Sequence, residues 1–144
     1  VNTAIEQGVE LFISLDCGVR ANDTIQQLKA ANIDVIVCDH HLPGEKLPDA
    51  IILNPKQHDC SYPFKELCGV GVGFKLLQGV CDQNSIDPKQ LYQHLDLVAI
   101  GTSADIVPII DENRTLVKYG LELINKRPRP GIQAILGLSN FTLP

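Results

Sequence analysis

The chain has 144 residues, 44% of them hydrophobic and 20% charged, and its formal net charge is −5 at pH 7. This length and composition are typical of one globular domain, and no apolar run approaches the roughly 20 residues that a membrane helix needs. Nucleic-acid modules usually carry a basic face, so the charge alone argues against a nucleic-acid-binding protein.

The cysteines indicate the cellular compartment of the protein, and the first residues indicate whether the sequence is a fragment. Five cysteines, at positions 17, 38, 60, 68 and 81, are scattered without a C-x-x-C pair. An odd, scattered set with no visible signal peptide favours reduced thiols and a cytoplasmic protein. Cys38 is predicted to be a small core residue, and Cys17 is also interpreted as structural. Residues 1–8 resemble the tail of a helix and no Met begins the chain, so the sequence is interpreted as a fragment.

The first half of the chain has the pattern of a βαβ unit. Apolar runs at 11–15 and 33–38 are predicted to be buried strands. The helix between them is predicted to be capped by Asn22 or Asp23 and to end at a left-handed Asn32. Such a unit pairs its strands in parallel, with a right-handed crossover. With a third strand predicted at 50–53, before Asn-Pro, the fold class is α/β: a Rossmann-like parallel sheet flanked by helices.

Polar residues follow two of these strands. Asp16 follows the first strand, and Asp39, His40 and His41 follow the second. Ligands of open α/β sheets bind beyond the carboxyl ends of the strands, so Asp16 and His40 are expected to lie together there. Histidine beside carboxylate suits a divalent metal ion, while the alternative is a polar loop in which the two histidines cap backbone groups.

A glycine-rich segment at 68–77 leads into a helix that is predicted to reach about residue 81. It follows a loop rather than a strand, which is not the pattern of a dinucleotide-binding fingerprint. Gly71 and Gly73 are predicted to allow close packing of this helix, and Gly69 is a candidate phosphate contact at its start. In the preceding loop, His58 and Asp59 are interpreted as solvated rather than metal-ligating.

The second half of the chain adds one further candidate ligand. Asp105 follows the mostly apolar segment 91–104, in which His94 is interpreted as a helix-surface residue. Two final helices are predicted at 115–126, capped by Asp111 or Asn113, and at 131–138, joined by a basic bend.

The candidate ligands Asp16, His40 and Asp105 form an oxygen and nitrogen set without thiolates. Such a set suits Mn²⁺ or Mg²⁺, and its imidazole favours Mn²⁺. Hard divalent ions held by carboxylates serve phosphoryl chemistry. The absence of a Cys/His spacing pattern argues against structural zinc.

Four stretches together resemble, in order, the motifs of the DHH phosphoesterase superfamily. They are LDCG at 15–18, VIVCDHHLPGEKLPDAIILNP at 35–55, LCGVGVGFKL at 67–76 and DLVAIGTSADIVPI at 96–109. The amino-acid sequences of these stretches are most similar to those of the RecJ family of single-strand-specific 5′→3′ DNA exonucleases. The resemblance implies two-metal-ion hydrolysis of phosphodiesters with Mn²⁺ or Mg²⁺, in DNA repair and recombination. It also implies single-stranded DNA as substrate, single-strand-binding protein and a RecQ-type helicase as partners, and no membrane association.

The resemblance further implies a role for each motif residue. Asp16 would bridge two metal ions, and His40 and Asp105 would ligate one of them. His41 would contact the scissile phosphate. Asp39 would orient His40 from behind, as metal-bound imidazoles usually require.

One family motif is not present in this sequence. The family carries a D-x-D on an earlier strand, and no D-x-D occurs here. Residues 1–126 are therefore interpreted as a partial DHH domain and 127–144 as the start of a connector helix toward a further domain. The isolated fragment is expected to be essentially inactive.

Two alternatives stay open. The chain could belong to another DHH phosphoesterase that acts on short oligonucleotides or dinucleotides, or to a non-catalytic DHH-fold module that binds nucleic acid or protein partners. Loss of ligands would mark the latter, and the intact Asp16, His40 and Asp105 disfavour it.

Overall fold

A computed structural model of the chain describes residues 1–139. They divide into two compact units, Val1–Leu76 and a second unit that begins at Leu77. The first contains α1 (Asn2–Glu6), β1 (Leu11–Leu15), α2 (Asn22–Ala30), β2 (Asp34–Cys38), β3 (Ile51–Leu53) and the start of α3 (Gly69–Gln83). The second contains the rest of α3 with α4 (Lys89–Tyr92), α5 (Leu95–Ala104), α6 (Asp111–Lys126) and α7 (Pro130–Leu138). No helix within residues 1–139 is long and apolar enough to cross a membrane.

The sheet of the first unit is parallel, with the strand order β1-β2-β3. Leu15 pairs with Cys38, and Cys38 pairs with Leu53, so the three strands end in register. The predicted α/β fold with a parallel sheet and flanking helices is confirmed. The residues that follow the three strands consequently emerge at one edge of the sheet.

The predicted burial is correct for β2 and wrong for β1. Val37 and Cys38 of β2 are fully buried, whereas Leu11 and Leu15 of β1 remain 49% and 57% exposed. The reason is position in the sheet, because β2 lies between two strands while β1 has a paired strand on one side only within residues 1–139. An apolar run identifies a strand but not its place in the strand order.

Helix α2 packs its apolar stripe on the sheet. Ile25 and Leu28, one turn apart, are buried in a cluster with Ile33 and two valines of β2, as the helical period predicts. The predicted side-chain cap is wrong, since Ala21 is the N-cap residue and no side chain caps the helix. Asn22 instead donates its amide to the Lys46 carbonyl oxygen at 3.3 Å.

The end of α2 is as the sequence predicts. Asn32 follows the helix with φ +58°, in the left-handed region that asparagine tolerates better than most residues.

Helices α5 and α6 of the second unit pack at close range through Gly120. An added Cβ at this residue would lie 2.9 Å from the Leu95 carbonyl carbon and would overlap Ala99. Helix α6 begins at Asp111 rather than 115, and Ile110 is its N-cap without a side-chain cap bond. The predicted capping by Asp111 or Asn113 is therefore wrong. Asn113 is buried inside the first turn and donates its amide to the Pro108 carbonyl oxygen at 3.0 Å.

We expect Gly120→Ala to lower the free energy of unfolding by about 1–3 kcal/mol, the usual cost of overpacking a tight site. The methyl group would meet backbone, which cannot rotate away as a side chain can. Gly137→Ala in α7 is the matched control, because an added Cβ there has no neighbour within 4 Å among residues 1–139. Urea unfolding of both variants measures the difference, and equal effects would contradict the close approach of α5 and α6.

Candidate metal centre

Asp16 and His40 meet just beyond the ends of β1 and β2. Asp16 has φ +66°, a left-handed conformation that bends the chain away from the strand, and its N–H still donates to the Cys38 carbonyl oxygen at 2.8 Å. Its carboxylate Oδ1 lies 3.1 Å from Nε2 of His40. The expected proximity of these two residues at one sheet edge is thus confirmed. Their role as metal ligands stays a prediction.

His41 joins the other two side chains. One ligand atom from each of Asp16, His40 and His41 lies within 4.8 Å of the others, a spacing that could hold one metal ion. The His40 ring is buried, whereas the side chains of Asp16 and His41 are both 59% exposed. The cluster therefore has a buried imidazole at its base and two exposed side chains at the surface.

Asp39 is the buried carboxylate that organises the loop, with 1% of its surface exposed. Its Oδ2 accepts from the Val19 N–H at 2.9 Å, and its Oδ1 accepts from the His40 and His41 N–H groups at 2.8 and 3.2 Å. Oδ1 also lies 2.7 Å from Nδ1 of His41. Asp39 thus contacts His40 through the main chain and His41 through the ring.

The Asp39 contact decides which nitrogen of His41 is available. A carboxylate beside Nδ1 keeps the proton on that nitrogen, which leaves Nε2 as the acceptor or ligand atom. The sequence-based expectation concerned the orientation of His40 alone. The structure adds His41 as a ring that the same carboxylate holds directly.

The same contacts act on the acidity of Asp39. Burial by itself would raise the pKa of this carboxyl group. Hydrogen bonds from the Val19 N–H, the His41 ring and the N–H groups of His41 and His40 outweigh burial and lower the pKa below its ordinary value.

We expect the free energy of unfolding to decrease at acid pH because Asp39 becomes protonated. Its folded pKa is below the unfolded value of about 3.9, so its contribution is present above that value and is lost as pH falls through the folded pKa. Asp39→Asn should flatten this acid dependence and lower the free energy of unfolding at neutral pH by about 1–3 kcal/mol, since buried donors lose a charged acceptor. Urea unfolding between pH 2 and 7, with the exposed loop variant Asp59→Asn as control, measures both effects; an unchanged acid dependence would contradict the assignment.

Asn54 is a structural residue of this site that the sequence analysis treated only as a strand stop. It is 3% exposed, donates from Nδ2 to the His41 carbonyl oxygen at 2.8 Å and accepts from the Lys56 N–H at 2.8 Å. Beside it, the Leu53 carbonyl oxygen accepts from the Asp39 N–H at 3.0 Å. The signal available in the sequence was an Asn-Pro pair at the end of the third strand, since the histidines follow the preceding strand.

Helix α3 begins directly against the cluster. An added Cβ at Gly69, its first residue, would lie 2.5 Å from Cβ and Cγ of Asp16. An added Cβ at Gly73 would lie 3.1 Å from Leu15 of β1, so the predicted close packing of the helix against the sheet is confirmed there. An added Cβ at Gly71 would lie 3.2 Å from Leu67, in the segment just before the helix, and not against the sheet. A phosphate contact at Gly69 stays a prediction, while its contact with Asp16 is an additional finding.

Asp105 belongs to the second unit. It is the exposed residue that ends α5. Its role as a ligand beside Asp16 and His40 stays a prediction.

Other candidates lie where the sequence analysis put them, with one exception. His58 and Asp59 are exposed loop residues, and His94 is exposed at the start of α5. Cys38 is buried, and burial raises the pKa of its thiol. The exception is Cys17, which is exposed, whereas its interpretation as a structural residue predicts burial.

The basic bend between α6 and α7 is partly neutralised. Arg129 is the N-cap residue of α7, and its Nε lies 2.5 Å from Oδ2 of the buried Asp96. The same guanidinium donates to the Gln93 carbonyl oxygen at 2.8 Å. This arginine therefore anchors the start of α7 to the start of α5.

A parallel sheet with an aspartate and an Asp-His-His run at its carboxyl edge defines a class of α/β protein with a candidate metal centre. The model of the DHH family, N-terminal domain, matches residues 1–102. The chain belongs to the DHH family, which confirms the resemblance seen in its motifs.

Similar proteins include single-stranded-DNA-specific exonucleases named RecJ. The chain is 43% identical to that of Salmonella typhimurium, covering 97% of this chain and 26% of the relative. It is 45% identical to that of Bacillus subtilis, covering 93% and 16%. The chain therefore spans about a quarter or less of the length of these curated relatives.

Solved structures agree with this similarity. A crystal structure of exonuclease RecJ bound to manganese matches with a TM-score of 0.82 and 29% identity, covering 100% of this chain and 37% of the other. RecJ of Thermus thermophilus in complex with Mn²⁺ matches with a TM-score of 0.81 and 29% identity, covering 97% and 22%. The Mg²⁺ complex of RecJ from the same organism gives a TM-score of 0.65 and 28% identity, covering 92% and 17%.

Proposed function

We propose that this chain is part of a RecJ-type exonuclease that removes nucleotides from single-stranded DNA in the 5′→3′ direction by two-metal-ion hydrolysis. The observation that carries the proposal is the cluster of Asp16, His40 and His41 at the carboxyl edge of the sheet. Its support is the 43% and 45% identity to RecJ exonucleases. The reaction would serve DNA repair and recombination.

The residues of the cluster fit the metal ions that the family implies. Carboxylate oxygen and imidazole nitrogen without thiolate suit Mn²⁺ or Mg²⁺, and the imidazoles favour Mn²⁺. Two such ions, when bound, neutralise charge on the phosphate oxygens and lower the pKa of a bound water. Mn²⁺ and Mg²⁺ are the ions in the solved RecJ structures that this chain resembles.

The protein residues would divide the remaining work. Asp16, His40 and Asp105 are proposed as the metal ligands, with Asp16 shared between the two ions. His41 is proposed to contact the scissile phosphate through Nε2, because Asp39 occupies Nδ1. Asp39 would act as a positioning residue, through the loop that it holds and through its contact with the His41 ring.

The surrounding assignments are part of the same proposal. Residues 1–126 would form the partial DHH domain, and 127–144 would begin a connector toward a further domain. The cytoplasm is the proposed location, and it agrees with five cysteines that form no disulfide. Single-strand-binding protein and a RecQ-type helicase are the proposed partners, in addition to the DNA strand.

The test of the proposal is release of nucleotides from 5′-labelled single strands by the full-length protein in Mn²⁺. We expect processing from the 5′ end and no turnover of the same sequence in duplex form. A preference for dinucleotides over long strands would favour the alternative DHH branch that degrades short oligonucleotides. Cleavage that persists in excess chelator would contradict metal-dependent hydrolysis.

The 144-residue chain itself should bind Mn²⁺ weakly and cleave essentially no DNA. Two-metal hydrolysis needs ligands for both ions, and the sequence contains no D-x-D motif. Calorimetry should give a higher affinity for Mn²⁺ than for Ca²⁺, which prefers all-oxygen shells. The affinity should fall as the solution is made more acidic, because ligand imidazoles must be neutral. Tight Ca²⁺ binding or robust DNA cleavage by the chain would contradict this.

A further inference from the structure

A cavity of about 440 Å³ lies beside the end of β3 in the first unit. Its lining is mainly apolar and includes Ile52, Leu53, Pro55, Tyr62, Val72 and Lys75. This volume falls within the range of about 300–1,000 Å³ that small-molecule sites occupy. None of the residues with a proposed role at the metal ions lines it, so the cavity is a separate feature that the proposed chemistry leaves unused.

Two hydrogen bonds join the wall of this cavity to the metal loop. Leu53 lines the cavity, and its carbonyl oxygen accepts from the Asp39 N–H at 3.0 Å. Asn54 lines it too, and its amide donates to the His41 carbonyl oxygen at 2.8 Å. The cavity and the cluster are thus adjacent features of the same sheet edge, where α/β folds bind their ligands.

The two amide side chains of the wall, Asn54 and Gln57, are engaged within the protein. The Gln57 amide nitrogen donates to the carbonyl oxygens of Ile52 and Asn54, at 3.1 and 3.2 Å. The Asn54 side chain uses its nitrogen for His41 and its oxygen for the Lys56 N–H. Amides in these bonds are poorly placed to recognise the edge of a ligand. The cavity is therefore suited to a flat, largely apolar group that is held by its faces rather than by its polar edge.

We propose that this cavity receives a nucleobase of the single-stranded DNA whose phosphate lies at the cluster, an inference that rests on the proposed function. A base has two apolar faces, and Tyr62 provides an aromatic ring of the kind on which single-stranded nucleic acids stack. Stacking accepts every base because every base has a π-face. A subsite without free amide groups would accordingly serve an exonuclease that degrades strands of any sequence.

The test measures KM and kcat of the full-length exonuclease on strands that carry a single abasic residue at each of the first few positions. Removing the base that enters the cavity should raise KM by about 5- to 150-fold, the range for losing one stacked base. Abasic residues at the other positions should have smaller effects. Tyr62→Leu should raise KM to a similar degree on the intact strand and add little on the sensitive abasic strand, because both changes remove the same contact.

Two further variants separate stacking from general damage. Tyr62→Phe keeps the ring and should keep KM near the wild-type value. Tyr119→Leu replaces an exposed tyrosine of α6 that does not line the cavity, and it should leave both constants unchanged.

The outcomes distinguish the subsite from the nuclease. A KM that is insensitive to abasic residues at every position would overturn the subsite, whatever the Tyr62 variants do. If Tyr62→Leu raised KM by the same factor on all strands, including the sensitive abasic strand, the subsite would also be overturned. The ring would then act only on folding. Wild-type protein without metal-dependent cleavage of any strand would instead overturn the proposed function.

Discussion

Replacing Asp16 with alanine should weaken the binding of Mn²⁺ to the chain by at least about 100-fold, the upper range seen for loss of groups that merely support a metal ligand. The Asp16 carboxylate lies 3.1 Å from Nε2 of His40 and is the anionic member of the cluster with His40 and His41. Without it the cluster keeps only the imidazoles of His40 and His41, and the proposed ligand set loses one of its two carboxylates, which a hard divalent ion favours. In the full-length exonuclease, where Asp16 is proposed to bridge both ions, the rate of nucleotide release should fall at least as far.

Cys17→Ala is the matched control for this experiment. Cys17 is the next residue in the same turn and is also exposed. Within residues 1–139 it is not a member of the cluster that could hold a metal ion. Electron paramagnetic resonance of free and bound Mn²⁺ gives the affinity of each variant. Binding that is intact in Asp16→Ala, or lost equally in Cys17→Ala, would place the metal site elsewhere.

The meeting of Asp16 and His40 could be predicted from the sequence because two general rules fix it. A strand, a helix and a strand in close succession pair in parallel, and parallel strands that end in register bring their following residues to one edge. The residue types then indicate the chemistry. No distance was needed to predict that these two side chains meet, although their separation of 3.1 Å is a result of the structure.

The exposure of β1 could not be predicted because burial depends on what covers a strand. Leu11–Leu15 is as apolar as Asp34–Cys38, yet the latter lies between two strands. The predictions of side-chain caps were wrong for a related reason. Asn22 found a more distant acceptor in the Lys46 carbonyl group, a partner that local sequence does not reveal.

Asn54 and Gly69 are two residues of the site whose roles could not be predicted from the sequence. Both act on the cluster through contacts with residues far away in the chain, Asn54 on His41 and Gly69 on Asp16. A polar residue before proline has a sufficient local explanation as a strand stop, and a glycine at a helix start has one as a phosphate contact. The three-dimensional neighbours give each residue a second role that its local pattern does not require.

Gly69→Ala should displace Asp16 and lower the affinity for Mn²⁺ by about 10- to 100-fold, as changes behind a metal ligand typically do. The new methyl group would lie 2.5 Å from both Cβ and Cγ of Asp16. Rotation of the carboxylate cannot relieve an overlap that includes Cβ, so the whole turn after β1 has to shift. Gly69 is not among the residues with positive φ, and alanine is therefore compatible with its backbone. The expected loss comes from the contact with Asp16 and not from the helix.

Gly79→Ala in the same helix isolates that contact. In the described part of the chain an added Cβ at Gly79 has no neighbour within 4 Å. This exchange should therefore keep the affinity for Mn²⁺ and raise the free energy of unfolding by about 0.4–1 kcal/mol, as alanine does in an open helical position. Mn²⁺ titration and urea unfolding of both variants separate the two effects. Gly69→Ala that binds Mn²⁺ as tightly as Gly79→Ala would show that the start of α3 does not hold Asp16 in its metal-binding position.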